Sequence, residues 1–298
     1  MDAPIRVTWY TDPHNIWCWG FEPTIRRLEV RYPDTVQIET RQGGLFEDFS
    51  PVREQWARMS GGRWKDSVRA FFEAVSSQHR MPMAADAMID SSDDFDSTWP
   101  ACIAAKAADL QGADQGWRYL RRLREAWCLE GWAIHRKDVQ ATVAKETGLD
   151  VDAFVRALED GSANDAFQRD RDECQALGIS GFPTFVVRRA DETRHVDGWR
   201  PWDGFEEILR DVYPHLEAAP LKADEDTAKG LLQRYGSLAT SELAAILGTT
   251  DDDAEILLEE LEGHDDVVRR PVGRGLMWEL PRSRHAISKP DIASRTPT

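Results

Sequence analysis

The sequence predicts an α/β fold that carries a large helical insertion and is followed by a second, smaller module. Three observations carry this. Alternating β-rich segments at Ile5–Tyr10 and Val36–Thr40 enclose an apolar helical segment, period-two patterning returns after Gly178, and the pattern changes again beyond a stretch holding Pro214 and Pro220. A chain of 298 residues also suits about two domains.

Ile5-Arg6-Val7-Thr8-Trp9-Tyr10 reads as a strand, and the turn Thr11-Asp12-Pro13-His14 leads to Asn15. Asn15 is well suited to open a helix, because its side-chain oxygen accepts from the free N–H groups of the first turn. The apolar segment runs on through Trp17, Cys18, Trp19, Phe21 and Ile25, and Val36-Gln37-Ile38-Glu39-Thr40 gives the second strand. Residues from about 50 to 177 read as helices broken near Gly61-Gly62, Met81-Pro82, Gly112, Gly131 and Gly148. Asp96-Ser97-Thr98-Trp99-Pro100 is a helix entry, a polar cap before a proline suited to the first turn. Thr184-Phe185-Val186-Val187 and Thr193 to Gly198 then form a hairpin, and Gly204 to Tyr213 a helix.

A linker at 216–221 leads to a module at 222–281. Its apolar spacing gives three helices, around Leu231, Leu243 and Leu258, and two strands around Gly273 and Gly275. That order suggests a small winged-helix-like module. The polar tail at 282–298 reads as disordered.

Composition narrows the function. Lys plus Arg is 37 against 53 Asp plus Glu, a formal charge of −16. Such a surface repels phosphate backbones, so no nucleic-acid or anionic-membrane partner is expected. The helix that would enter a DNA groove starts Asp251-Asp252-Asp253, and no Lys or Arg lies between Thr249 and Asp266. No apolar run is long enough to span a bilayer, and the first residues lack an export signal, so the expectation is a cytoplasmic protein. Cys18, Cys102, Cys128 and Cys174 are too widely spaced for a disulfide framework or a zinc cluster, and no metal is expected.

Two segments resemble one family. Tyr10-Thr11-Asp12-Pro13-His14-Asn15-Ile16-Trp17-Cys18-Trp19-Gly20-Phe21-Glu22-Pro23 is similar to the active-site entry of the cytoplasmic DsbA-like (FrnE-type) thioredoxin-fold oxidoreductases. Leu177-Gly178-Ile179-Ser180-Gly181-Phe182-Pro183-Thr184-Phe185 resembles that family's loop before a cis-proline, and Phe167 to Ala176 its preceding helix. The resemblance covers roughly residues 1–215 and implies a thioredoxin fold with a helical insertion. It places Cys18 at the resolving cysteine and Asn15 where the attacking cysteine would stand. Dithiol exchange needs both sulfurs, so the standard cycle is not expected.

Asn15 then reads as a structural cap in a retired site, or as a ligand-binding amide at a pocket mouth. Cys18, one turn inside the helix, is the one catalytic candidate, and it reads first as a small buried residue. His14 is a turn residue that is either solvated or a tuning base. Phe182 and Pro183 would offer backbone to an extended peptide or to glutathione. Trp17 and Trp19 flank Cys18, and Trp199 and Trp202 could join them round one cleft. The leading expectation is a DsbA-family protein that binds a peptide, a protein or a small thiol between Asn15 and Pro183 without dithiol turnover. Some relatives in this broad family are adaptors that present proteins to proteases. Two enzymatic alternatives stand beside it: a glutathione-dependent transferase or isomerase of kappa-class-like type, and a monothiol oxidoreductase using Cys18. Apart from glutathione, no cofactor is implied.

Overall fold

The fold is described from a computed structural model, for residues 3–281. The tail expected to be disordered, 282–298, lies outside the described residues. β1 (Ile5–Thr11) is buried at every residue but Arg6, because both of its faces are covered. Val7 and Trp9 lie with Phe21, Phe185 and Phe205 in one core, and Tyr10 packs with Val186 and Cys174 on the other side.

Asn15 starts α1 (Ile16–Trp19), which gives way to α2 (Glu22–Arg31). The sequence reads as one apolar segment here, but the helix breaks at Gly20-Phe21. Pro23 has no N–H to give the Trp19 carbonyl, so the helical ladder cannot run through. The Gly20 carbonyl instead accepts the Trp199 indole N–H at 2.9 Å. Gly20 is also where the His79 ring presses closest, and a Cβ there would lie 2.2 Å from it. β2 (Val36–Gln42) runs parallel to β1, with Val7 opposite Ile38 and Trp9 opposite Thr40.

The insertion follows as α3 (Ser50–Met59), α4 (Trp64–His79), α5 (Ala85–Asp90), α6 (Trp99–Asp109), α7 (Ala113–Cys128), α8 (Lys137–Glu146), α9 (Val151–Glu159) and α10 (Ser162–Ala176). The expected Gly and Pro breaks all fall between these helices. Pro100 stands in the first turn of α6, and the Ser97 hydroxyl accepts the Trp99 N–H at 3.1 Å. Small alanines along α6 let Tyr119, Leu123 and Phe154 close a second core against it.

β3 (Thr184–Arg189) and β4 (Glu192–Asp197) complete a sheet of order β2-β1-β3-β4, in which β3 is antiparallel to both neighbours. Phe185 stacks on Trp9, ring centroids 5.8 Å apart. α11 (Trp202–Val212) packs Phe205 and Leu209 beneath it.

The C-terminal part is α12 (Glu225–Tyr235), β5 (Ser237–Ala239), α13 (Thr240–Leu247), α14 (Asp251–Gly263), β6 (Val268–Val272) and β7 (Gly275–Glu279), with sheet order β5-β7-β6. β5 is absent from the sequence reading because three residues are too short to show a period. The stretch 216–221, read as a linker, is pinned at both ends. Leu216 is buried in the first core, Leu221 packs against the C-terminal core, and the Ala219 N–H donates to the Arg31 carbonyl at 2.6 Å.

α13 lies against α2 and α7 over a buried ionic network. Arg121 donates two hydrogen bonds to Glu242 at 2.7 and 2.9 Å, and Arg124 donates to Glu22 at 2.6 Å. Arg26 lies 3.7 Å from Glu242. Burial pushes the Glu22 carboxyl up, but Arg121, Arg124 and Arg26 together outweigh it and hold it below its ordinary value of 4.5. A carboxyl depressed by folding stabilises the protein fully above its unfolded pKa and loses that contribution as pH falls through the folded one. The melting temperature should therefore hold from pH 7 to 5 and drop below about 4.5. In Glu22→Gln the acid drop should be shallower; equal slopes in the two proteins would refute this assignment.

Candidate functional site

The site is built where β1 ends. Asp12 is fully buried, and its carboxylate accepts the His14 N–H at 2.8 Å, the Leu45 N–H at 2.7 Å and the Cys102 thiol at 3.4 Å. These bonds fix the turn that aims Asn15, although burial still raises the Asp12 carboxyl above its ordinary value.

Asn15 makes contacts at both ends of its amide. Its Oδ1 accepts the N–H groups of Trp17 at 2.9 Å and Cys18 at 3.3 Å, capping α1 as expected. Its Nδ2 donates to the Phe182 carbonyl at 2.9 Å. The peptide bond between Phe182 and Pro183 is cis. Capping needs an acceptor and the Phe182 carbonyl needs a donor, and a short amide supplies both. Serine or aspartate would cap without an N–H to reach across.

The Phe182 backbone, expected to be offered to an extended peptide or to glutathione, already gives one lone pair of its carbonyl to the chain's own Asn15. The Phe182 ring is also pressed against Gly43, where a Cβ would lie 1.8 Å from it. What lies open beside Phe182 is a polar groove of about 520 Å3, lined by Gly44, Gln168, Arg171, Gln175 and Ser180 among others.

Cys18 is fully buried, and burial pushes its thiol up to about 11, against a smaller opposing pull from Arg124. A protonated, enclosed sulfur is a poor nucleophile. The catalytic reading of Cys18, and with it the monothiol alternative that needs an exposed sulfur, has no support in this geometry. The other three cysteines are likewise free and buried. None of the four thiols should react with a disulfide reagent in the native protein, and all four should react after unfolding. One native equivalent that disappears in Cys18→Ser would contradict this.

The remaining candidates divide. Trp17 is half-buried between His79 and Trp199, with ring centroids 6.2 and 6.0 Å away, and so faces the site. Trp19, expected at the cleft, is instead fully buried. Its indole N–H donates to the Pro82 carbonyl at 2.9 Å, and the Arg121 guanidinium lies 4.6 Å above its ring. Trp202 is also away from the cleft, stacked on Tyr32 and Arg27. His14, read as a turn residue, is 8% exposed and packs on Phe95 and Trp127. Sequence reasoning missed Asp12, Gly43 and the surroundings of His14, whose partners come from distant helices. Among the described residues no group of three or more His, Cys, Asp or Glu side chains could hold a metal ion. No helix among them is long and apolar enough to cross a membrane.

The arrangement of β1, the Asn15-capped helix and the Phe182-Pro183 loop can be set beside known proteins. A family model described as thioredoxin matches residues 9–207. The chain belongs to the thioredoxin family. Within it the fold is DsbA-like. A putative protein disulfide isomerase from Nitrosomonas europaea superposes with a TM-score of 0.58 at 18% identity, covering 72% of this chain and 100% of that one. The cytosolic disulfide reductase DsbM from Pseudomonas aeruginosa gives 0.53 at 20% identity, over 69% and 98%. A relative from Shouchella clausii named ClpXP adapter protein SpxH is 32% identical over 279 residues, 93% of this chain and 88% of that protein.

Proposed function

We propose that this thioredoxin-family chain is an adapter that binds another protein and presents it to the ClpXP protease, without dithiol turnover. The observation that carries the reading is the extent of its likeness to the ClpXP adapter of Shouchella clausii. An alignment over 93% of the chain must take in most of the C-terminal elements as well as the DsbA-like part. The two oxidoreductase-type structures cover only 72% and 69%.

The site geometry supports the same conclusion. Asn15 stands where the family's attacking thiol would be, Cys18 is enclosed, and the Asn15 amide occupies the carbonyl that would receive a substrate backbone. In this reading residues 1–215 form the DsbA-like domain and 222–281 a winged-helix-like module that serves protein contact. α14 carries many carboxylates and no cation, which disfavours DNA.

The test is delivery. The purified chain captures partners from a cell extract, each partner is then purified, and its degradation by ClpX, ClpP and ATP is timed with and without the chain. At least one captured partner should disappear several-fold faster when the chain is present. Equal rates for all of them, together with Cys18-dependent reduction of insulin, would overturn the adapter reading in favour of a redox one.

A further inference from the structure

The His14 side chain sits where a structural histidine would normally have a partner. It is more than nine-tenths buried, yet neither ring nitrogen has a hydrogen-bond partner among the described residues. Leaving a buried polar group unmatched is unfavourable. The ring borders a cavity of about 60 Å3, walled by Phe49, Trp64, Phe72, Met88, Phe95 and Trp127. Burial first, and the nearby His135 second, keep His14 neutral, so one ring nitrogen is a donor and the other an acceptor.

The surroundings say what could enter. A dry cavity of about 150 Å3 holds a benzene ring, so this one of about 60 Å3 takes only the tip of an aromatic side chain and leaves its ring against the half-buried Trp64, Phe72 and Phe95. A tip that satisfies His14 must be polar. The loops that carry Phe49 and Phe95, with the end of α5, also bear exposed Glu47, Asp48, Asp90, Asp93, Asp94 and Asp96. Three permanent cations face this rim, Arg53 on Asp96, Lys65 on Asp93 and Arg136 on Asp94. Glu47 and Asp90 are left without partners among the described residues, and the rim stays net negative. The wall is apolar on its outer side too, with Phe71 39% and Met59 77% exposed on α4 and α3.

We propose that this cavity is the anchor site for the protein partner, taking a tyrosine from a segment rich in Lys and Arg and bonding its hydroxyl to His14. The inference rests on the adapter reading and gives it a surface and a partner chemistry. Tyrosine suits the role because it combines a rigid apolar ring with one polar tip and has few rotamers to lose.

The experiment uses the full chain alone, with histidine labelled for nitrogen NMR, and the peptide Lys-Arg-Ala-Tyr-Ala-Arg-Lys beside its Phe and Ala counterparts. The Tyr peptide should shift the His14 ring signals and bind at least tenfold tighter than the Ala peptide, with Phe between them. p-Cresol should compete with it. His14→Phe should erase the Tyr-over-Phe preference. Ser92→Trp, which fills the mouth from a half-buried position without touching His14's own place in the fold, should erase the preference over Ala. Equal binding of all three peptides, or tyrosine selectivity that survives both variants, would overturn the proposal. Retained selectivity with no acceleration in the ClpXP assay would count against the adapter reading while supporting the pocket.

Discussion

Replacing Glu242 with alanine should lower the unfolding free energy by roughly 3–5 kcal/mol, the range for breaking a buried ion pair from one side. Glu242 is completely buried and accepts both terminal nitrogens of Arg121, at 2.7 and 2.9 Å, as well as the Ala239 N–H at 2.8 Å. Without it Arg121 and Arg26 remain enclosed beside Arg124, Arg121 keeping Glu125 at 2.9 Å and Glu22 at 3.2 Å and Arg26 keeping Glu29 at 2.9 Å. Glu242→Gln keeps an acceptor for the Ala239 N–H and removes only the charge, so its loss should be smaller. The bridge joins α7 of the insertion to α13 of the C-terminal part, and for that reason the damage should be directional. The 216–224 segment should become sensitive to limited proteolysis before the C-terminal core does. Urea denaturation followed by fluorescence checks the magnitude; a change under about 1 kcal/mol would mean that water reaches these charges.

That network also marks where sequence reasoning stops. β1, the β3–β4 hairpin and the helix breaks are legible because a period of two, or a Gly or Pro, is written into neighbouring residues. Nothing local marks Glu22, Arg121 and Glu242 as buried, since the bonds from Arg124 to Glu22 and from Arg121 to Glu242 each span a hundred residues or more of chain. His14 fails for the same reason. Its local sequence is a turn, and only packing from Phe95, Trp127 and His135 makes it interior. At Asn15 the capping half of the role follows from residue type and position. The second half, the bond from Nδ2 to Phe182, depends on the loops after β1 and before β3, far apart in the chain, meeting at one end of the sheet, and becomes visible only in three dimensions.

Asn15→Cys should turn an inert site into a working one. Native protein should reduce insulin, with glutathione present, no faster than the uncatalysed background. The variant sets a thiol at the N-cap of α1, three positions before Cys18, where the free N–H groups now held by Asn15 would stabilise a thiolate. Lowering a thiol pKa by about one unit raises its ionised fraction at pH 7 nearly tenfold, and turnover should rise above native by at least that order. The same change removes the Nδ2 donor from the Phe182 carbonyl, so the backbone acceptor becomes free for a substrate strand. Asn15→Ser separates the two effects, because it frees the carbonyl and keeps a cap but brings no sulfur; it should stay inert. Adding Cys18→Ser to Asn15→Cys, with glutathione left out, should stop the reaction after one event and trap a mixed disulfide with insulin, since no second thiol remains to release it. If native protein already turns over and Cys18→Ser abolishes it, then Cys18 is reached by motions that expose it, and the site is not retired. If instead Asn15→Cys gains the activity, the thioredoxin scaffold is intact. What separates this chain from an oxidoreductase is then one side chain, whose amide closes the cleft that a thiol would have used.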